Sequence, residues 1–218
     1  MNIIIFGPPG AGKGTQSDFV VNKYNLFQVS TGNLLREEIS KKTNLGLEID
    51  NKINSGKLVS DKIVSNLVEN FLSNEKYKNK IVFDGYPRNL IQANELDKLL
   101  SKYNQKITLA LNLKTDLEII KKRISGRYLC GKCGKIYNKF FNPAPKDKVC
   151  CKDEFLNKRG DDNVDVAVKR YNTYIEETSP VLDFYRKKNL LKEVNGESSI
   201  DQIYKEISDI IAVIEAWH

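Results

Sequence analysis

Ile3, Ile4, Ile5 and Phe6 form an unbroken apolar run, the pattern of a strand buried on both faces of a parallel sheet. Glycines and prolines then crowd positions 7–14. From 13 to 24 a helix is predicted, with Phe19, Val20 and Tyr24 on its apolar side. A second helix is predicted over 31–39 with Ser30 as its cap, and a third over 45–54, stopping at Ser55-Gly56. Ser60 precedes Ile63, Val64, Leu67, Val68, Phe71 and Leu72, whose spacing follows the helical period. A second buried strand over 81–83 ends in Asp84-Gly85, and Pro87 leads into a helix over 89–100. Residues 107–113 read as a third strand and 116–125 as a helix. From Asn163 a long helix runs until Pro180 interrupts it, then resumes to Lys188. A short strand over 190–194, a turn at Asn195-Gly196 and a helix over 200–214 complete the pattern.

Strands alternating with helices predict an α/β fold, a parallel sheet flanked by helices. Two segments break the alternation, 30–59 and 126–162. The second also changes composition, to Gly, Pro, Lys, Cys and the aromatics Tyr128, Tyr137, Phe140 and Phe141. Both are expected to be mobile insertions over a crevice at the strand C-termini. The expected division is a core of 1–29, 60–125 and 163–218 carrying these two insertions; the length of 218 residues suits one core. There are no internal repeats.

Composition narrows the chemistry. Forty per cent hydrophobic and 29% charged residues exclude a disordered chain. No apolar run approaches the ~18 residues of a membrane span. The chain enters its first apolar run after two residues without a basic leader or cleavage site, so the expected compartment is the cytoplasm. The only histidine is His218, which excludes Ser-His-Asp triads, HExxH zinc sites and histidine bases. A net charge of +7 invites phosphate-bearing or other polyanionic ligands. The lysine surplus reads as a solvated surface. The arginines, 36, 88, 123, 127, 159, 170 and 186, are more informative, because a guanidinium offers a planar fork that lysine cannot.

Gly7-Pro8-Pro9-Gly10-Ala11-Gly12-Lys13-Gly14-Thr15 lies between a predicted strand and a predicted helix, as a phosphate-binding loop requires. Its glycines let successive N–H groups turn inward. The helix start adds partial positive charge, and Lys13 adds a full one. Gly14 stands where the usual motif has a magnesium-binding Ser or Thr.

The four cysteines, 130, 133, 150 and 151, are too tightly grouped for scattered disulfides in a reducing compartment. Cys130-Gly131-Lys132-Cys133 followed by Cys150 has zinc spacing, and with no histidine the site is expected to be structural. For the fourth ligand, thiolate softness favours Cys151. Spacing favours Asp153, which stands to Cys150 as Cys133 stands to Cys130, and Asp153 is the expected ligand.

Further motifs are Ser30-Thr31-Gly32-Asn33-Leu34-Leu35-Arg36, Asp84-Gly85-Tyr86-Pro87-Arg88 followed by Gln92, Arg123 with Gly126-Arg127, Arg159-Gly160-Asp161-Asp162, and Arg170. With the phosphate loop, in this order and spacing, the chain resembles adenylate kinases of the bacterial long-lid, zinc-containing type over essentially its whole length. The resemblance implies the P-loop nucleoside monophosphate kinase fold and the reaction ATP + AMP ⇌ 2 ADP, with Mg²⁺ accompanying ATP and structural Zn²⁺ in the lid. It implies that Gly10, Ala11, Gly12, Lys13, Gly14 and Thr15 cradle the ATP phosphates and that Arg127 reaches ATP from the lid. Ile136 and Tyr137 then cover its adenine and Ser198 contacts it. Thr31, Arg36, Lys57, Leu58, Val59, Gly85, Tyr86 and Pro87 hold AMP, Arg88 grips its phosphate, and Gln92 reads its base. Arg123, Arg159 and Arg170 clamp the transferring phosphates, Arg159 and Arg170 also belonging to the AMP-binding set, and Asp84 holds magnesium through water. The family's zinc lids use Cys or Asp at the fourth place. Two departures stand out: Asn33 where the family commonly has Asp, which removes a carboxylate near the magnesium waters, and Tyr86 where Phe is commoner. The resemblance also implies a monomer, with no nucleic-acid or membrane partner.

The chemistry agrees with this reading, since phosphoryl transfer needs positioning and positive charge and no histidine. The alternatives are a kinase of the same fold acting on CMP, UMP or GMP, and a zinc-ribbon nucleic-acid-binding protein, which leaves the phosphate loop and Asp84 unused. A regulatory GTPase needs an N-K-x-D motif, which is absent.

Overall fold

The computed structural model of the chain describes residues 1–55, 57–147, 149–160 and 162–216; Gly56 as a helix stop, Asp161 of the lid motif and His218 lie outside them. In chain order the first elements are β1 (Ile3–Phe6), α1 (Lys13–Tyr24), β2 (Phe27–Ser30), α2 (Thr31–Ser40), α3 (Asn44–Asn54) and α4 (Asp61–Leu72). There follow β3 (Ile81–Asp84), α5 (Leu90–Lys102), β4 (Leu109–Lys114), α6 (Leu117–Ser125), β5 (Arg127–Cys130), β6 (Ile136–Asn138) and β7 (Leu156–Asn157). The chain continues through α7 (Val164–Thr173), a π turn (Tyr174–Thr178), α8 (Ser179–Lys187), β8 (Leu191–Asn195) and α9 (Ile200–Glu215).

Five strands form one parallel sheet in the order β2-β3-β1-β4-β8, with β1 in the middle. Ile3 pairs with Val82 on one side and Leu109 on the other. Because strand side chains alternate, the continuous apolar run of β1 serves two cores. Ile3 and Ile5 pack with Val20 of α1 and Ile203 and Ile207 of α9. Ile4 and Phe6 pack with Val64 and Val68 of α4, Leu96 of α5 and Tyr185 of α8. The predicted α/β fold with helices on both faces is the fold found. No helix among the described residues is long and apolar enough to cross a membrane.

Two features differ from the sequence expectations. Phe27–Ser30 is a strand that the pattern does not announce; it sits on the sheet edge, paired on one side only, and just one of its residues, Val29, is buried. The segment 126–162 contains its own small antiparallel sheet, order β6-β5-β7, built by pairing that no local periodicity reveals. Pro180 interrupts its helix, which then resumes, as read: α7 ends at Thr173, and a π turn widens the backbone just ahead of α8, where a proline ring would otherwise crowd the carbonyl four residues back.

The caps are partly as read. Ser30 and Ser60 occupy the N-cap positions of α2 and α4, but neither side chain makes the capping bond. Asn89 does so for α5, accepting from Gln92 N, and Ser199 forms a capping box with Gln202 on α9. In the first insertion, α2 and α3 approach so closely at Gly46 that an added Cβ would lie 2.7 Å from the Glu38 carbonyl oxygen.

Candidate active site

The loop after β1 turns back on itself through Gly10 and Gly12, whose φ angles of +85° and +99° favour glycine. Gly12 is the N-cap residue of α1, so the helix start faces the loop's concave side. Lys13 Nζ donates to the carbonyls of Gly7 at 2.7 Å and Pro8 at 3.0 Å. Burial pushes its ammonium down to about 8; Arg88, Arg170 and Arg127 press the same way and Asp84 opposes them. Asp84 ends β3, accepts a hydrogen bond from Gln28 Nε2 at 3.1 Å, and places Oδ2 3.9 Å from where a Cβ on Gly14 would stand. Gly14 thus faces this carboxylate across the loop.

Two adjoining cavities open at the strand C-termini. One is lined by Thr31, Arg36, Lys57, Leu58, Val59, Gly85, Pro87, Arg88, Gln92 and Arg170, ten of the residues expected around AMP. The other is lined by Gly10 to Thr15, Arg123, Arg127, Ile136 and Tyr137, residues expected around ATP, together with Arg159 and Arg170. Lys13, Arg36, Gly85, Arg88 and Arg170 line both. Strand order explains the meeting: β1 and β3 are neighbours, so the loop after one and the Asp84–Arg88 turn after the other face each other.

Arg88 is held from several sides. Its Nε donates to Gly85 O at 2.7 Å, its N–H to Gln92 Oε1 at 2.8 Å, and its carbonyl accepts from Thr178 Oγ1 at 2.7 Å. Burial, reinforced by Arg170 and Arg36, lowers its guanidinium to about 10 against the pull of Asp84. Thr31 Oγ1 donates to Gly85 O at 2.8 Å. Arg36 donates to Asn33 at 2.7 Å, so Asn33 orients an arginine of the cavity wall. Arg123 reaches the loop directly through Nη1 to Ala11 O at 3.0 Å. Arg127 forms a two-point pair with Asp162, its Nε 2.8 Å from Oδ2.

Three expected site residues are placed differently. Ser198 does not line the ATP-side cavity; Ile200 and Ile203, at the start of α9, do. Arg159 lines only the ATP side. Tyr86 is 1% exposed behind the AMP-side cavity, its hydroxyl 3.3 Å from Ser65 Oγ.

In the second insertion, the Sγ atoms of Cys130, Cys133 and Cys151 all lie within 4.8 Å of one another. Cys133 and Cys151 are 3.5 Å apart, and Cys150 Sγ is 3.4 Å from Cys151 Sγ. All four cysteines are free thiols. Asp153, the expected fourth ligand, is exposed and lies outside this group, whereas Cys151 lies inside it. Val149–Cys151 forms a short 3-10 turn, which brings the adjacent Cys150 and Cys151 thiols together; extended backbone would point them apart. Cys151 is 2% exposed and its sulfur lies 3.2 Å from the Tyr137 hydroxyl.

The adenylate kinase family model matches residues 5–190. The chain is 49% identical to an adenylate kinase of Pelagibacter ubique, covering 98% of this chain and 100% of that one. It is 41% identical to one of Thermodesulfovibrio yellowstonii, covering 97% and 99%, and 39% identical to one of Fervidobacterium nodosum, covering 99% and 99%. The chain belongs to the adenylate kinase family. Adenylate kinases are phosphotransferases of the nucleoside monophosphate kinase class.

Set within that family, the site holds residues that sequence reasoning missed. Asp18 lines the ATP-side cavity together with Asp84 and Asn33. Partial burial, and then the Asp84 charge, raise its carboxyl above the ordinary value. Position 18 is one helical turn beyond Gly14, which faces Asp84, and that spacing was the available signal. Phe141 also lines this cavity, its ring 5.5 Å from the Arg123 guanidinium carbon; only its place in an aromatic-rich insertion hinted at it.

Proposed function

We propose that this protein transfers the γ-phosphoryl group of ATP to AMP, reversibly and with Mg²⁺, giving two molecules of ADP. The observation that carries the reading is the junction of the two cavities at Lys13, Arg88 and Arg170. An acceptor phosphate gripped from one cavity and a donor phosphate cradled in the other meet among three cations. In-line positioning and stabilisation of charge on the moving group are what the reaction requires. Thr31, Arg36, the 57–59 segment and Gln92 seat AMP; the phosphate loop, Arg123, Arg127 and Arg159 seat ATP. The 30–59 and 126–162 segments close over the two nucleotides and exclude water. Both cavities are built from one chain, which supports a monomer, and the place of action is the cytoplasm.

The donor sets suit the two metals. Asp84, with Asp18 in the same cavity, offers the hard oxygens that magnesium prefers, through water. When bound, that ion neutralises phosphate charge during transfer. Reduced thiols 3.4 to 3.5 Å apart need to spread only a few tenths of an ångström for the S···S distance of about 3.8 Å that a tetrahedral zinc sets. Cys130, Cys133 and Cys151, with Cys150 beside them, would hold a structural Zn²⁺ that fixes the fold of the second insertion.

An ADP-forming assay with ATP and a panel of AMP, CMP, UMP and GMP tests the function. AMP should be the preferred acceptor, and preference for another base overturns the reading. For the metal, Cys151→Ser is expected to lose or weaken bound zinc, measured as about one ion per purified chain in the parent. Asp153→Ala should retain it. Zinc lost from Asp153→Ala and kept by Cys151→Ser would make Asp153 the ligand.

The lowered Lys13 ammonium gives a pH dependence. A lysine whose proton leaves near pH 8 in the free protein loses its charge above that pH. kcat/KM for ATP should then fall about tenfold per pH unit at high pH. Bound phosphates hold the proton on, so kcat should persist to higher pH. Rate profiles from about pH 6 to about pH 10 check this, and superimposable kcat and kcat/KM curves would contradict it.

A further inference from the structure

Gln92, in the first turn of α5, is 2% exposed, yet both ends of its side-chain amide are engaged. Oε1 accepts from the backbone N–H of Arg88 at 2.8 Å, and Nε2 donates to Asp61 Oδ1 at 2.7 Å. The backbone is pinned as well: Gln92 N donates to Asn89 Oδ1 at 2.8 Å, and Tyr86 OH lies 3.4 Å from Gln92 O. Asn89 Nδ2 donates to the same Asp61 oxygen at 3.0 Å. Half a turn of the Gln92 amide would set its NH₂ against the Arg88 N–H and its oxygen against the Asp61 carboxylate. Two donor–acceptor pairs would become two like pairs. Asp61, the first residue of α4, thus works with the Arg88 N–H to fix which way the amide points.

We propose that Asp61 is a specificity-positioning residue: by fixing the Gln92 amide it selects a 6-amino purine and rejects a 6-oxo purine in the acceptor site. The inference rests on the reading of Gln92 as the residue that meets the acceptor base, and Gln92 does line that cavity. Its amide keeps one N–H and one lone pair for a ligand. Adenine presents a ring-nitrogen acceptor beside an amino donor. Hypoxanthine presents a carbonyl acceptor beside an N–H donor, at the same two places with roles exchanged. An amide held at one end only, by the Arg88 N–H, turns over at a smaller cost to meet the other edge, whereas one held at both ends by Arg88 and Asp61 satisfies only one. Rejection comes from leaving buried polar groups unpaired or facing their like.

The test is a mutant cycle read with AMP and inosine monophosphate. Asp61→Ala should raise KM for AMP about three- to tenfold, the range of one hydrogen bond. kcat at saturating AMP and KM for ATP should stay within about twofold, and the AMP-over-IMP ratio of kcat/KM should shrink by about tenfold or more. Asp61→Asn keeps an accepting oxygen and should restore most of the preference. In a Gln92→Ala background, Asp61→Ala should change the base preference no further. If Asp61→Ala does not fold, Asp61→Ser withdraws the carboxylate at a helix-start position and is measured the same way, with AMP and IMP affinities by calorimetry. An unchanged AMP-over-IMP ratio in the Asp61 variants, with Gln92→Ala clearly altered, overturns the role of Asp61 and leaves Gln92 as base reader. No effect of Gln92→Ala itself overturns both.

Discussion

Lys13→Ala should lower kcat by about a thousandfold, equivalent to about 4 kcal/mol of transition-state stabilisation. Lys13 lines both cavities, so its charge stands where the phosphoryl group passes. In the ligand-free protein that charge rests on the Gly7 and Pro8 carbonyls at 2.7 and 3.0 Å, and burial lowers its ammonium to about 8. A group held charged against its surroundings serves the reaction and not the fold. Melting temperature in Lys13→Ala should accordingly be unchanged or higher. Single-turnover rates and thermal melts on the same preparation check both parts. A loss of kcat smaller than about tenfold would remove Lys13 from the transfer site.

Arg88→Lys should cost about a hundredfold in kcat/KM for AMP, through both KM and kcat. The substitution keeps the positive charge and removes the fork. Arg88 Nε is committed to Gly85 O, and Thr178 and Gln92 fix the residue's backbone. Among the described residues its two terminal nitrogens make no hydrogen bond or ion pair, so the guanidinium is presented to the cavity with its plane set by the Nε contact. A lysine has one ammonium on a flexible stem and cannot make the paired contacts that a phosphate accepts from that plane. Steady-state kinetics with varied AMP at saturating ATP decide the matter. Near-normal AMP kinetics would take Arg88 out of the acceptor site, while KM for ATP serves as the internal control.

Several elements of this protein are written locally. The run from Ile3 to Phe6 can only be buried on both faces, and it is. The period of Ile63 to Leu72 makes α4, whose buried residues are Val64, Val68 and Leu72. The glycines of the phosphate loop carry their own conformational requirement, met at Gly10 and Gly12. In each case neighbours along the chain determine the outcome, so spacing alone suffices.

Other features depend on residues far apart in sequence. Phe27–Ser30 becomes a strand because β3 offers it an edge, and four residues with one buried side chain hold no period to read. Pro180 marks where its helix is interrupted, but that the interruption takes the form of a π turn, with α8 then packed in the core against the sheet, is a matter of tertiary packing. Spacing alone sets Asp153 opposite Cys150; that the 3-10 turn at Val149–Cys151 brings Cys151 beside the cysteines of β5 and its following turn is not legible in spacing. The sequence by itself determined four strands of the parallel sheet, the loop and the phosphate-directed arginines, because each follows from local stereochemistry and side-chain type. Only the tertiary structure decided that Lys13, Arg88 and Arg170 share one junction, that Asp18 stands with Asp84, and that Asp61 orients Gln92. Those pairings join segments whose proximity is created by strand order and helix packing, and no local pattern encodes a distance across the fold.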